Sequence, residues 1–333
     1  MIVRRTGLII LLVAVALLTA WCGAALSIDG PASGQAATML GWAWVLGLAG
    51  VGMALRSMPR ALALAFLMDL VVVTWWLGIA PSNDRTWIPD VARLASVEMD
   101  GDLARFRNVR NFDYHSSDTD FTPTWEERTF DLSKVRGVDI FFSEWGAPMI
   151  AHTIMSWEFD DGRQLAISIE TRKEVGEAYS AVLGFFRQFE LYYVVADERD
   201  VIRVRTDFRG ETVHVYRLSA SPENARRLLE DYIGSINELV IEPAWYNALT
   251  QNCTTSIWRH VHKLDSDFGW DWRILANGSA EGLLYMRGSI ENSMPFEELR
   301  GVSDVTGKAR EAGKAEDFSS RIRQGLPRMK AAN

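Results

Sequence analysis

The run IAHTIMSWEFDDGRQLAISIET, Ile150 to Thr171, decides how this chain folds. Two stretches rich in β-branched and aromatic residues flank Asp160-Asp161-Gly162, a strong hairpin signal. With the turn centred on Asp161, paired residue numbers sum to 322 and His152 stands opposite Glu170 on one face. A carboxylate in that place orients an imidazole. A two-residue turn at Asp161-Gly162 would set Thr171 opposite His152 and turn Glu170 away, so the inference hangs on register.

Working outward, Gly137 to Ser143 and Thr212 to Leu218 alternate like strands, Leu191 to Ala196 reads as a buried strand, and Val182 to Gln188 as a short helix. Ser221 as N-cap and Pro222 at the first helical position begin a long helix with Leu228, Leu229, Tyr232, Ile233, Ile236 and Val240 on its apolar face. The expectation is an α+β domain, an antiparallel sheet packed on helices.

Further along, Tyr246-Asn247-Ala248-Leu249-Thr250-Gln251-Asn252-Cys253 leads into Ile257, Trp258, Val261 and Leu264 at helical spacing. Cys253 is therefore the first or second residue of an amphipathic helix. There the unpaired N–H groups and the positive end of the helix dipole favour a thiolate and can hold an oxyanion. The competing reading is a buried structural cysteine capped by Asn252. Because the domain contains no second cysteine, it cannot form an internal disulfide. His260 and His262 share the cysteine's helix, but at 1.5 Å of rise per residue they stand roughly 10 Å or more away along the axis. A base for Cys253 has to come from His115, His152 or His214, and only His152 has an acid placed behind it. Trp245, Trp258, Trp270 and Trp272 surround this helix in sequence and are candidates for the lining of an apolar groove or for core.

The amino-terminal third differs in character. Residues 7–28, 37–55 and 61–80 are apolar runs of about 20 residues, long enough to span a bilayer as helices, with Asp69 the acid in the third. A cleaved signal peptide is the alternative for the first, but the run is long for that and lacks a convincing cleavage site before Ser27. Arg4, Arg5, Arg56 and Arg60 flank the runs on one side, while the loop from Asp29 to Gln35 has no Lys or Arg. The positive-inside rule then puts the amino terminus in the cytoplasm and everything after Pro81 outside, with Trp75, Trp76 and Trp87 at the interface. Asp69 has no basic partner in these helices, which leaves an interhelical hydrogen bond or a water-facing role.

The net charge of −8, with Lys and Arg interspersed, gives no basic stripe for nucleic acid. No glycine-rich phosphate loop or metal-ligand spacing calls for a cofactor or a resident metal. Asp113, His115, Ser116, Ser117, Asp118 and Asp120 admit a cation site, though solvated turns account for them as well. The stretch 296–333 reads as a charged surface helix pair.

The Ala151-His152-Thr153 strand, Ile169-Glu170-Thr171-Arg172-Lys173, Ala196-Asp197-Glu198-Arg199, Tyr246-Asn247 with Asn252-Cys253-Thr254-Thr255, and Trp272-Arg273-Ile274-Leu275-Ala276-Asn277-Gly278 together resemble the Lnb N-terminal periplasmic domain family. The likeness covers about 105 to 290, within a domain placed at 85–295. It implies a thiol-dependent acyltransferase or hydrolase on the outer face of a bacterial cytoplasmic membrane, acting on a membrane lipid or lipoprotein. Its histidine-before-cysteine order is also similar to the circularly permuted papain-like group that includes lecithin:retinol acyltransferase. Carried over, this gives Cys253 as nucleophile and His152 as base. Glu170 as orienter rests on the hairpin register, and Tyr246 and Asn252 are candidate polar contacts to substrate. One departure bears on the substrate: in the lipoprotein N-acyltransferase that names the family, the domain precedes its membrane helices, whereas here three precede it. The competing class is a non-catalytic cell-envelope domain that binds lipid or lipoprotein and keeps Cys253 as a structural residue.

Overall fold

The computed structural model describes residues 2–55, 57–146 and 150–327, residues 2–5 by their backbone. Arg56 and the side chains of Arg4 and Arg5, on which the orientation rests, lie outside the described residues. The chain forms two compact units, 1–82 with 179–189, and 83–178 with 190–333.

In the first unit α1 (Ile2–Ile28), α2 (Gly34–Ala54) and α3 (Met58–Leu77) are each long and apolar enough to cross a membrane. Small residues let α1 and α2 approach closely: a Cβ on Gly41 would stand 2.4 Å from the carbonyl oxygen of Gly23. Asp69 is fully buried and accepts from Thr19 Oγ1 at 2.7 Å and Trp44 Nε1 at 3.0 Å, so its role is to tie the three helices by hydrogen bonds. The segment 179–189 joins this unit through Asp29, which accepts from Trp76 Nε1 (2.6 Å) and Gln188 Nε2 (2.7 Å), while Phe186 stacks on Trp21. In place of the helix expected at 182–188 it has one 3-10 turn, Leu183–Phe185.

The second unit is built on a mixed sheet. Its strands are β1 (Ser96–Asp100), β2 (Leu103–Arg110), β5 (Trp125–Asp131), β6 (Val135–Glu144), β7 (Ala151–Phe159), β8 (Gln164–Arg172), β9 (Glu190–Ala196) and β10 (Thr212–Arg217). A separate hairpin pairs β3 (Asp113–Ser117) with β4 (Asp120–Thr122). The order is β1-β2-β9-β8-β7-β6-β10, with β5 also on β2, and every pairing is antiparallel except the contact of β2 with β9 at Arg110 and Ala196. Ile154 pairs with Ser168 and Met155 with Ile167, the register whose numbers sum to 322. Gly162 makes it possible by turning at φ +82°, a left-handed conformation that suits glycine.

Helices cover both faces, which is why β7 and β8 are buried almost continuously instead of alternating. On one face lie α5 (Pro222–Ile241) and α6 (Cys253–Leu264), where Trp157 packs edge-on against Tyr232 and donates Nε1–H to the Ala225 carbonyl at 2.8 Å. Ser221 caps α5 as expected, but Leu239, not Val240, completes the buried stripe, and Val240 is exposed. Opposite lie α4 (Glu198–Arg203), which runs on into a π-helical turn at Val204–Phe208, and the carboxyl-terminal helices. After α7 (Ala280–Met286), the expected surface helix pair is instead three short helices, α8 (Phe296–Ser303), α9 (Thr306–Ala312) and α10 (Phe318–Ile322). Val305, Ala309, Ala312, Phe318 and Ile322 belong to the core, and buried Arg323 bonds to Asp139 and Glu198.

Candidate active site

The loop before α6 is held by its own side chains. Asn247 Oδ1 accepts from the N–H groups of Leu249 and Thr250, both at 3.0 Å. Asn252 then closes a capping box with Thr255: its Oδ1 accepts the Thr255 N–H at 2.8 Å, and its own N–H goes to Thr255 Oγ1 at 3.0 Å. Nδ2 of Asn252 also donates to the Ala248 carbonyl at 2.7 Å, so both ends of the amide help shape the helix start. Cys253 is the first helical residue and 6% exposed. Its N–H and that of Thr254 have no acceptor within the helix, since the first turn has none to offer.

His152 reaches this thiol from β7. The β7–β8 pairing stops at Ile154 and Ser168, short of His152, and where the ladder has ended the imidazole and the thiol lie close enough to couple electrostatically. Nε2 of His152 lies 2.6 Å from Ser168 Oγ, which donates its proton to Glu170 Oε1 at 2.8 Å. The hydroxyl therefore accepts from Nε2–H, and Nδ1 is the nitrogen left for the thiol. Glu170 Oε1 itself lies 3.5 Å from Nε2, so the carboxylate acts mainly through the serine. Arg205, on the π-helical turn, donates to Glu170 at 3.0 Å and to Glu211 at 3.2 Å, and Glu211 also takes the Ser143 hydroxyl at 2.5 Å.

Burial pushes the Cys253 thiol up, yet the adjacent imidazolium outweighs burial and brings the thiol down to about 6. For His152 burial and Arg205 act downward, while the Cys253 thiolate and Glu170 act upward and prevail, so its pKa is raised. Glu170 is desolvated too, but His152 and Arg205 hold it well below the usual carboxylate range. The resting state these directions describe is a thiolate–imidazolium pair backed by an ionised carboxylate.

Asn277 completes the cluster. Its Oδ1 accepts the Ala151 N–H at 3.0 Å, which fixes the amide so that Nδ2 faces Cys253 Sγ at 3.8 Å. Thr254 Oγ1 is 3.7 Å from the sulfur.

Residues 121–278 match the Lnb N-terminal periplasmic domain. No curated protein and no solved structure matches the chain. The Lnb match takes in His152, Ser168, Glu170, Arg205, Cys253 and Asn277, and leaves the three apolar helices and the carboxyl-terminal helices outside it. With three candidate spans joined to a periplasmic-type domain, the protein is membrane-associated and extracytoplasmic in character.

The other candidates lie elsewhere. His115 is exposed and pairs with Thr122, and the acids near it are engaged by Lys314, Arg209 and Ser116. His260 bonds to Tyr193 and Asp231, and His262 stacks on Trp258. Tyr246 is buried beside the loop, Trp270 and Trp272 are exposed, and Trp245 is buried with Arg85 over its ring. His214 faces Glu281 at 3.5 Å and, with Glu144, forms a grouping close enough to share a cation. Arg300 already bonds both carboxylates, at 2.6 and 3.0 Å, and so supplies the positive charge a cation would bring.

Sequence reasoning did not single out three members of the cluster. Ser168 sits two residues before Glu170 and so on the same strand face, a signal available once the register is set. Asn277 lay inside a quoted motif with no role attached. Nothing local marks Arg205.

Proposed function

We propose that the protein is a membrane-anchored, extracytoplasmic cysteine acyltransferase or hydrolase acting on a lipid or lipoprotein ester. The observation that carries this reading is a thiol on the first residue of a capped helix, paired with an imidazole that Ser168 and Glu170 back from behind. In the proposed reaction the Cys253 thiolate attacks the ester carbonyl, and the carbonyl π electrons move onto oxygen. That oxyanion is met by the first N–H groups of α6 and by Nδ2 of Asn277. When the tetrahedral intermediate collapses, the C–O bond breaks and the departing alkoxide takes the proton from the His152 imidazolium. Neutral His152 then removes a proton from an incoming amine or water, which attacks the acyl-cysteine and releases the thiolate. Glu170 and Ser168 hold the ring in the tautomer this requires, and Arg205 holds Glu170. The basic residues near the amino terminus support an extracytoplasmic site through the positive-inside rule.

Incubating the purified full-length chain with bacterial lipids or a diacylglyceryl-peptide should yield a hydroxylamine-labile acyl adduct on Cys253, read by mass spectrometry. A folded Cys253→Ala protein that keeps full activity in cells would end the proposal.

A further inference from the structure

A cavity of about 270 Å³ runs along α6, walled by Phe142 of β6, Leu228 of α5, Ile257 and Val261 of α6, and Leu283 of α7. Its lining on α6 extends from Thr254, next to the nucleophile, to Asp265. Two polar groups meet the sulfur end. Thr254 Oγ1 lies 3.7 Å from Cys253 Sγ, and Thr153 Oγ1, in a residue 1% exposed, stands near enough to the thiol to lower its pKa but has no hydrogen-bond partner. A buried hydroxyl left without an oxygen or nitrogen partner is costly unless something visits it. An apolar trench with a vacant donor at the end where the nucleophile sits fits a molecule with a carbonyl head and a hydrocarbon tail.

We propose that this trench is the acyl-chain site, holding one linear chain with its carbonyl against Thr153 and its tail running along α6 toward Asp265. The inference rests on the acyl-transfer reading above and adds to it the substrate class: an ester or thioester of a medium-to-long unbranched fatty acid. From Thr254 to Asp265 the helix rises roughly 16 Å. A zigzag of carbon–carbon bonds advances roughly 1.3 Å each, so the trench takes about twelve carbons. Affinity should climb about four-fold per methylene up to that length and then level off.

The test separates the trench from the chemistry. Full-length Cys253→Ala in detergent performs no acyl transfer. It is irradiated with a diazirine-bearing dodecanoic acid, and crosslinked peptides are read by mass spectrometry. Labelling should concentrate on peptides spanning 254–265 and 280–289, compete with dodecanoate far better than with butyrate, and fall at least ten-fold in Val261→Trp and in Leu283→Trp, each checked for folding by thermal unfolding. Labelling elsewhere, or labelling indifferent to both tryptophans, overturns the trench even if the unaltered protein turns over esters. Trench labelling in a protein whose Cys253 never acylates would leave the site standing and defeat the acyl-transfer reading instead.

Discussion

Replacing His152 with alanine tests the central claim about Cys253, and the structure says how large the effect should be. The thiol falls from an ordinary 9.0 to about 6 because the imidazolium outweighs burial. That fall amounts to about 4 kcal/mol of differential interaction between thiolate and thiol. At pH 7 the thiolate fraction should therefore drop from about nine-tenths toward about one-hundredth in His152→Ala, where only Thr153 is left to oppose burial. The labelling rate will not follow that ratio, because a low-pKa thiolate is intrinsically slower. With a Brønsted slope of about 0.4–0.5, roughly a twenty-fold gain in reactivity offsets most of the lost population. A single-pH rate would thus show only about a five-fold change, and the informative quantity is the midpoint of the pH profile. Iodoacetamide labelling of the full-length chain across pH 4.5 to 10, followed on the Cys253 peptide to exclude Cys22, should give a midpoint near 6 for the unaltered protein. In His152→Ala it should move well upward, toward the ordinary 9.0. Equal midpoints near 9 in both proteins would refute the ion pair.

Three further outcomes follow from the same geometry. Asn277→Ala should leave the iodoacetamide profile in place, because alkylation builds no oxyanion, yet slow acylation by a p-nitrophenyl ester about 10²–10³-fold; equal loss in both assays would mean the asparagine only shapes the site. Ester turnover should be bell-shaped in pH, with an acid limb near 6 as the thiolate is protonated and an alkaline limb above the ordinary histidine value, since the raised His152 must keep its proton for the leaving group; a profile still rising at pH 9 would contradict this. Arg205→Ala leaves the largely buried Glu211 without its ion-pair partner and Glu170 with His152 alone, so unfolding should become easier by about 3–5 kcal/mol, whereas exposed Arg321→Ala should change it by under about 1 kcal/mol, both measured by denaturant titration.

How much of this was legible depends on the range of the signal. The Asp160-Asp161-Gly162 turn marks the hairpin but admits two registers, and the shared face of His152 and Glu170 belongs to the one the structure adopts, with the turn centred on Asp161. Asn252 before an amphipathic run places Cys253 at a helix start. The carboxyl-terminal helices were misread because charge dominates their sequence, while their few apolar residues, Val305, Ala309, Phe318 and Ile322, are spaced across three short elements and reveal a core face only after folding. Arg205 escaped because its aim depends on a π-helical turn, whose extra residue per turn shifts the direction of every side chain beyond it.

The end of the β7–β8 ladder, which no local pattern marks, brings these pieces together. Had pairing continued past Ile154 and Ser168, the Ala151 N–H facing that side would have found its acceptor on β8. It is taken instead by Asn277 Oδ1, and this bond is what turns the Asn277 amine toward the sulfur. The same gap leaves the His152 ring free to face Cys253 through one nitrogen and Ser168 through the other. A substitution that zipped β7 to β8 here would strengthen the sheet and, on the proposed mechanism, cost the site both its donor and its base, so residues 151–153, paired to β6 but not to β8, would trade sheet stability for chemistry.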